Sequence, residues 1–174
     1  MKEMMAGFKN MQACCSGSEA APDERHETVR IEKTGNSCGL CDSYAERQQV
    51  KPVVVICCDG ACLRGEVARQ AANLLCHRLA PEKTARVCLG GAFTKDSGQR
   101  ALVRNAQRVI ALEGCHVNCA SRMMAGVVCC LKPELVIADR LYDFDRSLFG
   151  ADEMPEEEIR AHARTVAEKV AAGL

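Results

Sequence analysis

The sequence predicts a three-layer α/β/α domain built around a mostly parallel sheet of four or five strands. Three observations support this fold class. Short aliphatic, β-branched runs alternate with longer segments of helical periodicity, the links between them are short, and 48% of the 174 residues are hydrophobic although only 3% are aromatic. Strands and helices that alternate in this way form right-handed βαβ units, whose sheet is covered by helices on both faces.

The clearest strand is predicted at residues 53–57, where three valines, an isoleucine and a cysteine form a continuous apolar run. A short run of this kind suits a strand that is buried on both faces, as in a parallel sheet. Three further short strands are predicted at residues 85–89, 108–112 and 135–141.

Four helices are predicted from apolar side chains that recur every three or four residues. They cover residues 63–79, 97–108, 118–128 and 155–172. The last is the best defined, because Pro155 suits a first helical turn and the three glutamates that follow it suit the positive end of the helix dipole. The expected arrangement is Rossmann-like or flavodoxin-like.

Residues 1–49 differ from the rest and predict a loosely structured N-terminal arm, followed by a cysteine-rich α/β domain at residues 50–174. The arm is polar and has little periodicity. One short strand is expected at residues 28–31. A Cys-x-x-Cys pair, Cys38 and Cys41, lies near its end and resembles half of a zinc ribbon or a redox pair.

Charge and hydropathy limit the classes of partner. The formal net charge is zero, so there is no electrostatic reason to expect nucleic acid or an anionic membrane as a partner. No run approaches the roughly 18 apolar residues that a membrane helix needs, and residues 1–10 lack the apolar core of a signal peptide. We therefore expect a cytoplasmic protein, and the sequence is compatible with a protein partner or a homodimer.

Thirteen cysteines are the outlying feature of the composition. In the reducing cytoplasm, clustered cysteines more often bind metals or carry redox chemistry than form structural disulfides. The odd count agrees, since complete pairing within one chain is impossible. The cysteines therefore indicate a metal site or a thiol reaction centre.

Five of these cysteines lie at or just after the ends of three consecutive predicted strands: Cys58, Cys62, Cys88, Cys115 and Cys119. The carboxyl ends of parallel strands lie along one edge of a sheet, where ligands bind. We therefore predict that these five residues form a metal site at that edge.

The spacing within this set is chemically sensible. Cys115 and Cys119 lie on one helical face if their helix starts early. Cys62 and Cys119 are expected near helix N-termini, where the dipole favours the thiolate form. Four thiolates can close a tetrahedral zinc shell with Zn–S distances of about 2.3 Å. Zinc is the first expectation, although copper(I), an iron–sulfur cluster and a metalloid such as arsenite accept thiolates too.

These motifs resemble the DGC-domain family of small prokaryotic proteins, over roughly residues 53–143. Glu113-Gly114-Cys115 is similar to the family's Asp-Gly-Cys tripeptide, with glutamate in place of aspartate, and the Cys-Ala that follows is matched at Cys119. The Cys-Leu-x-Gly turn is matched from Cys88. The resemblance implies zinc binding through cysteines and leaves the biochemical role undefined.

The family's first motif, a cysteine pair around a glycine, is matched at Cys58 and Cys62, followed by Gly65 and two alanines. It departs from the pattern by one extra residue, Ala61, which leaves either Cys57 or Cys58 as the matching thiol.

Other interpretations stay open. The simplest one makes the cysteines small packing residues, which we expect for Cys57 and Cys76. The second is a thiol enzyme in which Cys62 or Cys115 carries a persulfide or exchanges disulfides. The sequence does not decide whether the chain is an enzyme, nor what Cys129 and Cys130 do.

Overall fold

A computed structural model describes residues 26–36 and 38–174. Its contacts divide the chain into two units, Met1–Lys33 and Thr34–Leu174. In the first unit, the described residues 26–33 form neither helix nor strand, so the strand expected at residues 28–31 is absent there. The second unit contains the helices and strands described below.

The described residues form one sheet of four parallel strands in the order β2-β1-β3-β4. This confirms the predicted parallel sheet, with β1 and β3 as its central pair. The strands are β1 (Val53–Cys57), β2 (Thr84–Arg86), β3 (Arg108–Glu113) and β4 (Glu134–Ile137).

Helices cover both faces of this sheet. They are α1 (Gly39–Gln48), α2 (Leu63–Leu74), α3 (Leu89–Thr94), α4 (Gly98–Asn105), α5 (Cys119–Ala125) and α6 (Glu156–Ala171). One apolar core packs α2 and α6 against Val53, Val55 and Cys57 of β1. The other packs α1, α3, α4 and α5 against Val54 and Ile56. Alternate side chains of one strand thus enter two cores, which confirms the three-layer prediction.

Several boundaries differ from those that the sequence predicted. The predicted strand at residues 85–89 ends at Arg86, and α3 begins at Leu89. The last turn of the helix after β1 is π-helical over Leu75–Leu79. The predicted strand at residues 135–141 ends at Ile137, where the 3-10 turn Ala138–Arg140 begins.

Helix α1 lies within the segment that the sequence assigned to a loose arm. Only Ala45 of this helix is buried, so the segment carries almost none of the apolar periodicity by which helices are recognised. Its packing against α4, together with a hydrogen bond from the Tyr44 hydroxyl to the Arg86 carbonyl at 2.9 Å, holds the helix in place. Across residues 26–36 and 38–174, no helix combines the length and the apolar character needed to cross a bilayer.

Candidate functional site

The strand order creates a crevice between β1 and β3, because the chain leaves these neighbouring strands toward opposite faces of the sheet. Helix α2 follows β1 on the face that carries α6, whereas α5 follows β3 on the other face. In open parallel sheets, ligands bind at such a switch point, outside the carboxyl ends of the strands. Four of the five predicted site residues lie in the two segments that border this crevice.

Three of them, Cys58, Cys62 and Cys119, form what we call the Cys58 cluster. The N–H groups of Gly60 and Gly114 donate hydrogen bonds to the Cys58 sulfur. The Cys58 and Cys62 sulfurs lie 3.3 and 3.5 Å from the position that a Cβ on Gly60 would take, so both border the same small space. Cys119 arrives from beyond β3 and lies close enough to interact electrostatically with Cys58.

Burial raises the pKa of the Cys58 thiol above its ordinary value, and the neighbouring Cys119 and Glu113 raise it further. The two N–H donors, Gly60 and Gly114, act in the opposite direction and hold the pKa down. The neutral thiol is favoured while no cation is near. A bound metal ion would reverse this preference by displacing the proton from sulfur.

The position of Cys62 is set by backbone contacts. Cys62 is the N-cap residue of α2, and its carbonyl accepts a hydrogen bond from the Glu66 N–H at 2.9 Å. Cys62 also forms an antiparallel bridge with Gly150, and the adjacent Leu63 N–H donates to the Phe149 carbonyl at 2.8 Å. The segment before α6 therefore anchors the loop that carries Cys58 and Cys62.

Cys119 is the first residue of α5, and Glu113 holds the start of that helix. The fully buried Glu113 carboxylate accepts hydrogen bonds from the N–H groups of Ala120 at 3.1 Å and Ser121 at 2.7 Å. Asn118 precedes the helix in the left-handed conformation, with a φ of 56°, which asparagine tolerates better than most residues. The glutamate that distinguishes this chain from the Asp-Gly-Cys pattern thus acts as a helix cap, a role that the sequence analysis missed.

Three glycines let the backbone segments beneath the Cys58 cluster meet. A Cβ on Gly65 would lie 2.8 Å from the Gly60 Cα, and one on Gly114 would lie 2.8 Å from both the carbonyl carbon and the carbonyl oxygen of Arg64. None of the glycines in the described residues has a positive φ. These glycines are therefore required by space, not by an unusual backbone conformation.

Cys115 lies in the turn between β3 and α5 and is partly exposed. Its carbonyl accepts the Asn118 N–H at 3.3 Å. Since α5 begins only at Cys119, the two cysteines do not share a helical face, contrary to the spacing argument. The structure places Cys115 beside the crevice without a described contact between its sulfur and the Cys58 cluster.

Cys88 lies in a second group of thiols, with Cys38 and Cys41. It is the exposed N-cap residue of α3, and its N–H donates to the Gln99 side-chain oxygen at 3.0 Å. Its electrostatic neighbour is Cys41, at the start of α1. The strand order explains this placement, because β2 flanks β1 on the side away from β3. The prediction that Cys88 binds metal stays a prediction.

The thiols of the Cys58 cluster are chemically suited to bind a thiophilic ion, but their sulfurs do not yet converge on one point. Thiolates are preferred ligands of zinc and other soft ions, and N–H groups that donate to sulfur are common partners at such centres. Over residues 26–36 and 38–174, however, no three side chains among His, Cys, Asp and Glu converge closely enough to hold a metal. Binding would therefore draw the sulfurs together.

Cys57 and Cys76 are buried in the core that contains α2 and α6, as the packing interpretation predicted. Cys57 accepts a hydrogen bond from Arg86 Nη2 at 2.6 Å, and burial raises the pKa of its thiol to about 12. Cys58, by contrast, accepts hydrogen bonds from both loops at the crevice. The structure thus places Cys58, and not Cys57, at the candidate site.

Cys129 and Cys130 follow α5, and the sequence left their role open. Their sulfurs are 3.4 Å apart and both residues are exposed. Cys130 has a φ of 57°, in the left-handed region. Neither packs into the core.

Alkylation should distinguish the thiols by their environments. Hydrogen bonds from backbone N–H groups lower the pKa of Cys38 below 9, whereas burial raises that of Cys57 to about 12. Because the thiolate is the reactive form, on the order of 10⁻⁴ of Cys57 is reactive at pH 8. In native protein treated with limiting iodoacetamide, we expect Cys38 to be modified first and Cys57 last, as measured by peptide mass spectrometry.

The dependence of the alkylation rate on pH should also distinguish these two thiols. The modification rate of Cys38 should level off at a lower pH than that of an ordinary cysteine, while that of Cys57 should still rise at pH 10. Denatured protein is the control, in which both residues should react alike. Equal rates in the native protein would contradict the structural assignment.

Comparison with known proteins gives one family. The model of the DGC domain matches residues 54–166, which include all five predicted site residues but not Cys38 and Cys41. No curated protein matches, and neither does any solved structure. Because the match covers more than half of the chain, the resemblance seen in the motifs is confirmed, and the chain belongs to the DGC-domain family.

Proposed function

We propose that this protein binds a thiophilic metal ion, with zinc as the first candidate, through Cys58, Cys62 and Cys119, and with Cys115 as a fourth ligand. The observation that supports the proposal is the placement of three thiols, from two loops, around one crevice. Cys58 borders the same space as Cys62, and it interacts electrostatically with Cys119 across the crevice. The two loops are adjacent because β1 and β3 are neighbours, and metal binding would have to draw the sulfurs closer.

The environment of these thiols argues for ligation over packing. Cys62 is partly exposed and Cys119 is exposed, so neither contributes the burial expected of a core residue. Cys58 is buried, yet its sulfur receives two backbone hydrogen bonds. Donors of this kind stabilise sulfur that carries negative charge.

When bound, a zinc ion would supply a cross-link between the loop after β1 and the start of α5. The protein's own residues prepare this role. Glu113 fixes the start of α5 through two N–H groups, and the bridge between Cys62 and Gly150 fixes the other loop. A four-thiolate shell leaves no open position and suits storage, sensing or structural stabilisation better than hydrolysis. Because these thiols must stay reduced, we place the protein in the cytoplasm.

Metal analysis of substituted proteins tests the proposal. Protein purified without oxygen should contain about one zinc per chain and be colourless, as expected for a closed-shell ion in one site. Loss of a residue behind a ligand costs about 10- to 100-fold in affinity. Replacing a ligand itself, as in Cys58→Ser, Cys62→Ser or Cys119→Ser, should therefore weaken zinc binding at least about 100-fold, measured by competition with a chromophoric chelator.

Cys129→Ser is the matched control, since it also removes an exposed thiol and should leave zinc binding unchanged. Cys115→Ser decides the fourth ligand. Full zinc content in all three cluster variants would refute the proposal. A broad visible absorbance would instead show that the same thiolates hold an iron–sulfur cluster.

A further inference from the structure

We propose that Cys38 and Cys41 form a redox-active dithiol, separate from the Cys58 cluster, that reduces low-molecular-weight disulfides. The pair lies outside residues 54–166, which the family model matches. It is the Cys-x-x-Cys motif that the proposed metal site leaves unused. Three features of the second thiol group support the inference.

The first feature is the placement of the pair at the start of a helix. Cys38 is the N-cap residue of the ten-residue helix α1, and Cys41 lies in its first turn. The backbone of Leu40 and Cys41 and the Cys41 side chain are near enough to the Cys38 sulfur to lower its pKa. Both thiols line one cavity, so a disulfide between them needs only a local closing movement.

The second feature is the difference between the two thiols. Backbone hydrogen bonds lower the pKa of Cys38, whereas burial and the neighbouring Cys38 raise that of Cys41. Cys38 is exposed, while Cys41 is partly covered. An exposed, more acidic thiol beside a less acidic one is the arrangement of an attacking and a resolving cysteine.

The third feature is a cavity of about 520 Å³ that both thiols line together with Cys88. Arg69 and Arg86 are also in its wall, and Asp59 is the acidic residue among the described lining. Arg69 is paired with a glutamate outside the wall.

Arg86 is held in the wall by protein acceptors. Its Nη1 donates to the Val87 carbonyl, and its Nη2 lies 2.6 Å from the Cys57 sulfur. Its Nη2 also lies 3.4 Å from Asp59, and its Nε is buried. The volume accommodates a small molecule, so the site favours a low-molecular-weight disulfide.

The reaction balances as ordinary thiol–disulfide exchange. The Cys38 thiolate attacks one sulfur of the substrate R–S–S–R, the substrate S–S bond breaks, and one RS⁻ leaves and takes up a proton. Cys41 then loses its proton to solvent and attacks the Cys38 sulfur of the mixed disulfide. The second RS⁻ departs, the Cys38–Cys41 disulfide forms, and two electrons have passed to the substrate. A cellular dithiol reductant restores the starting state.

Quenched-flow mass spectrometry tests the assignment on the full chain, purified anaerobically with its metal and treated with oxidised glutathione. We expect the Cys38–Cys41 disulfide to form at least about tenfold faster than any other cysteine is oxidised, because reaction rate follows thiolate character and access. Cys41→Ser should accumulate a mixed disulfide with glutathione on Cys38. Cys38→Ser should abolish the fast phase, and Cys129→Ser should keep it.

Other results overturn the proposal. One such result is a fast phase that persists in Cys38→Ser. Another is a Cys41–Cys88 disulfide that forms in place of the Cys38–Cys41 disulfide. Loss of zinc from Cys38→Ser or Cys41→Ser would also do so, since it would make these residues metal ligands. Zinc content unchanged in both variants, together with loss of the fast phase, would support the dithiol independently of the Cys58 cluster.

Discussion

Gly114→Ala is expected to lower the free energy of unfolding by about 3 kcal/mol, at the upper end of the usual cost of overpacking a tight contact. A Cβ at this position would lie 2.8 Å from the Arg64 carbonyl carbon and oxygen and from the Gly65 nitrogen. These are backbone atoms at the start of α2, so they cannot move aside as a flexible side chain would. The helix itself must shift.

That shift should also disturb the candidate metal site. The Gly114 N–H donates to the Cys58 sulfur, and α2 carries Cys62 at its start. We therefore expect Gly114→Ala to reduce zinc affinity together with stability. Urea unfolding followed by circular dichroism measures the first effect, and chelator competition measures the second.

Gly90→Ala is the matched control, because no atom lies within 4 Å of a Cβ at Gly90. This residue lies inside α3, where alanine is favoured over glycine by roughly 0.5–1 kcal/mol. The control should therefore be as stable as the unsubstituted protein or slightly more so. A stable Gly114→Ala protein with full zinc affinity would show that α2 does not approach the β3–α5 turn as closely as described.

Glu113→Ala is expected to cost about 3 kcal/mol of stability. The substitution leaves the Ala120 and Ser121 N–H groups without their acceptor in a fully buried place, and each unsatisfied group costs about 1–3 kcal/mol. The start of α5 should loosen, and with it Cys119. Chemical denaturation measures the stability, and the alkylation rate of Cys119 reports the local loosening.

Two controls separate the cap from general effects of substitution. Glu113→Gln keeps one acceptor oxygen and should cost less than Glu113→Ala. Glu157→Ala removes an exposed carboxylate from the first turn of α6 and should change stability by less than about 0.5 kcal/mol. If Glu113→Ala unfolds like Glu157→Ala and Cys119 reacts no faster, Glu113 does not hold α5 in place.

The strand-forming run at β1 and the helical spacing in α2 and α6 are local patterns, and the sequence alone was sufficient to predict a parallel sheet covered on both faces. The rule on carboxyl strand ends also indicated which segments border the crevice, and the metal site predicted for Cys58, Cys62 and Cys119 stays a prediction. The DGC motifs were readable for the same reason, since they are short and contiguous.

Contacts between distant segments carry no local pattern, and only the tertiary structure decided them. It placed Cys88 with Cys38 and Cys41, because β2 lies beyond β1 from β3. It also formed helix α1, which has one buried residue and therefore no apolar periodicity from which a helix could be predicted. Strand order and close packing are set by the chain as a whole, and they determine which of the thiols are neighbours.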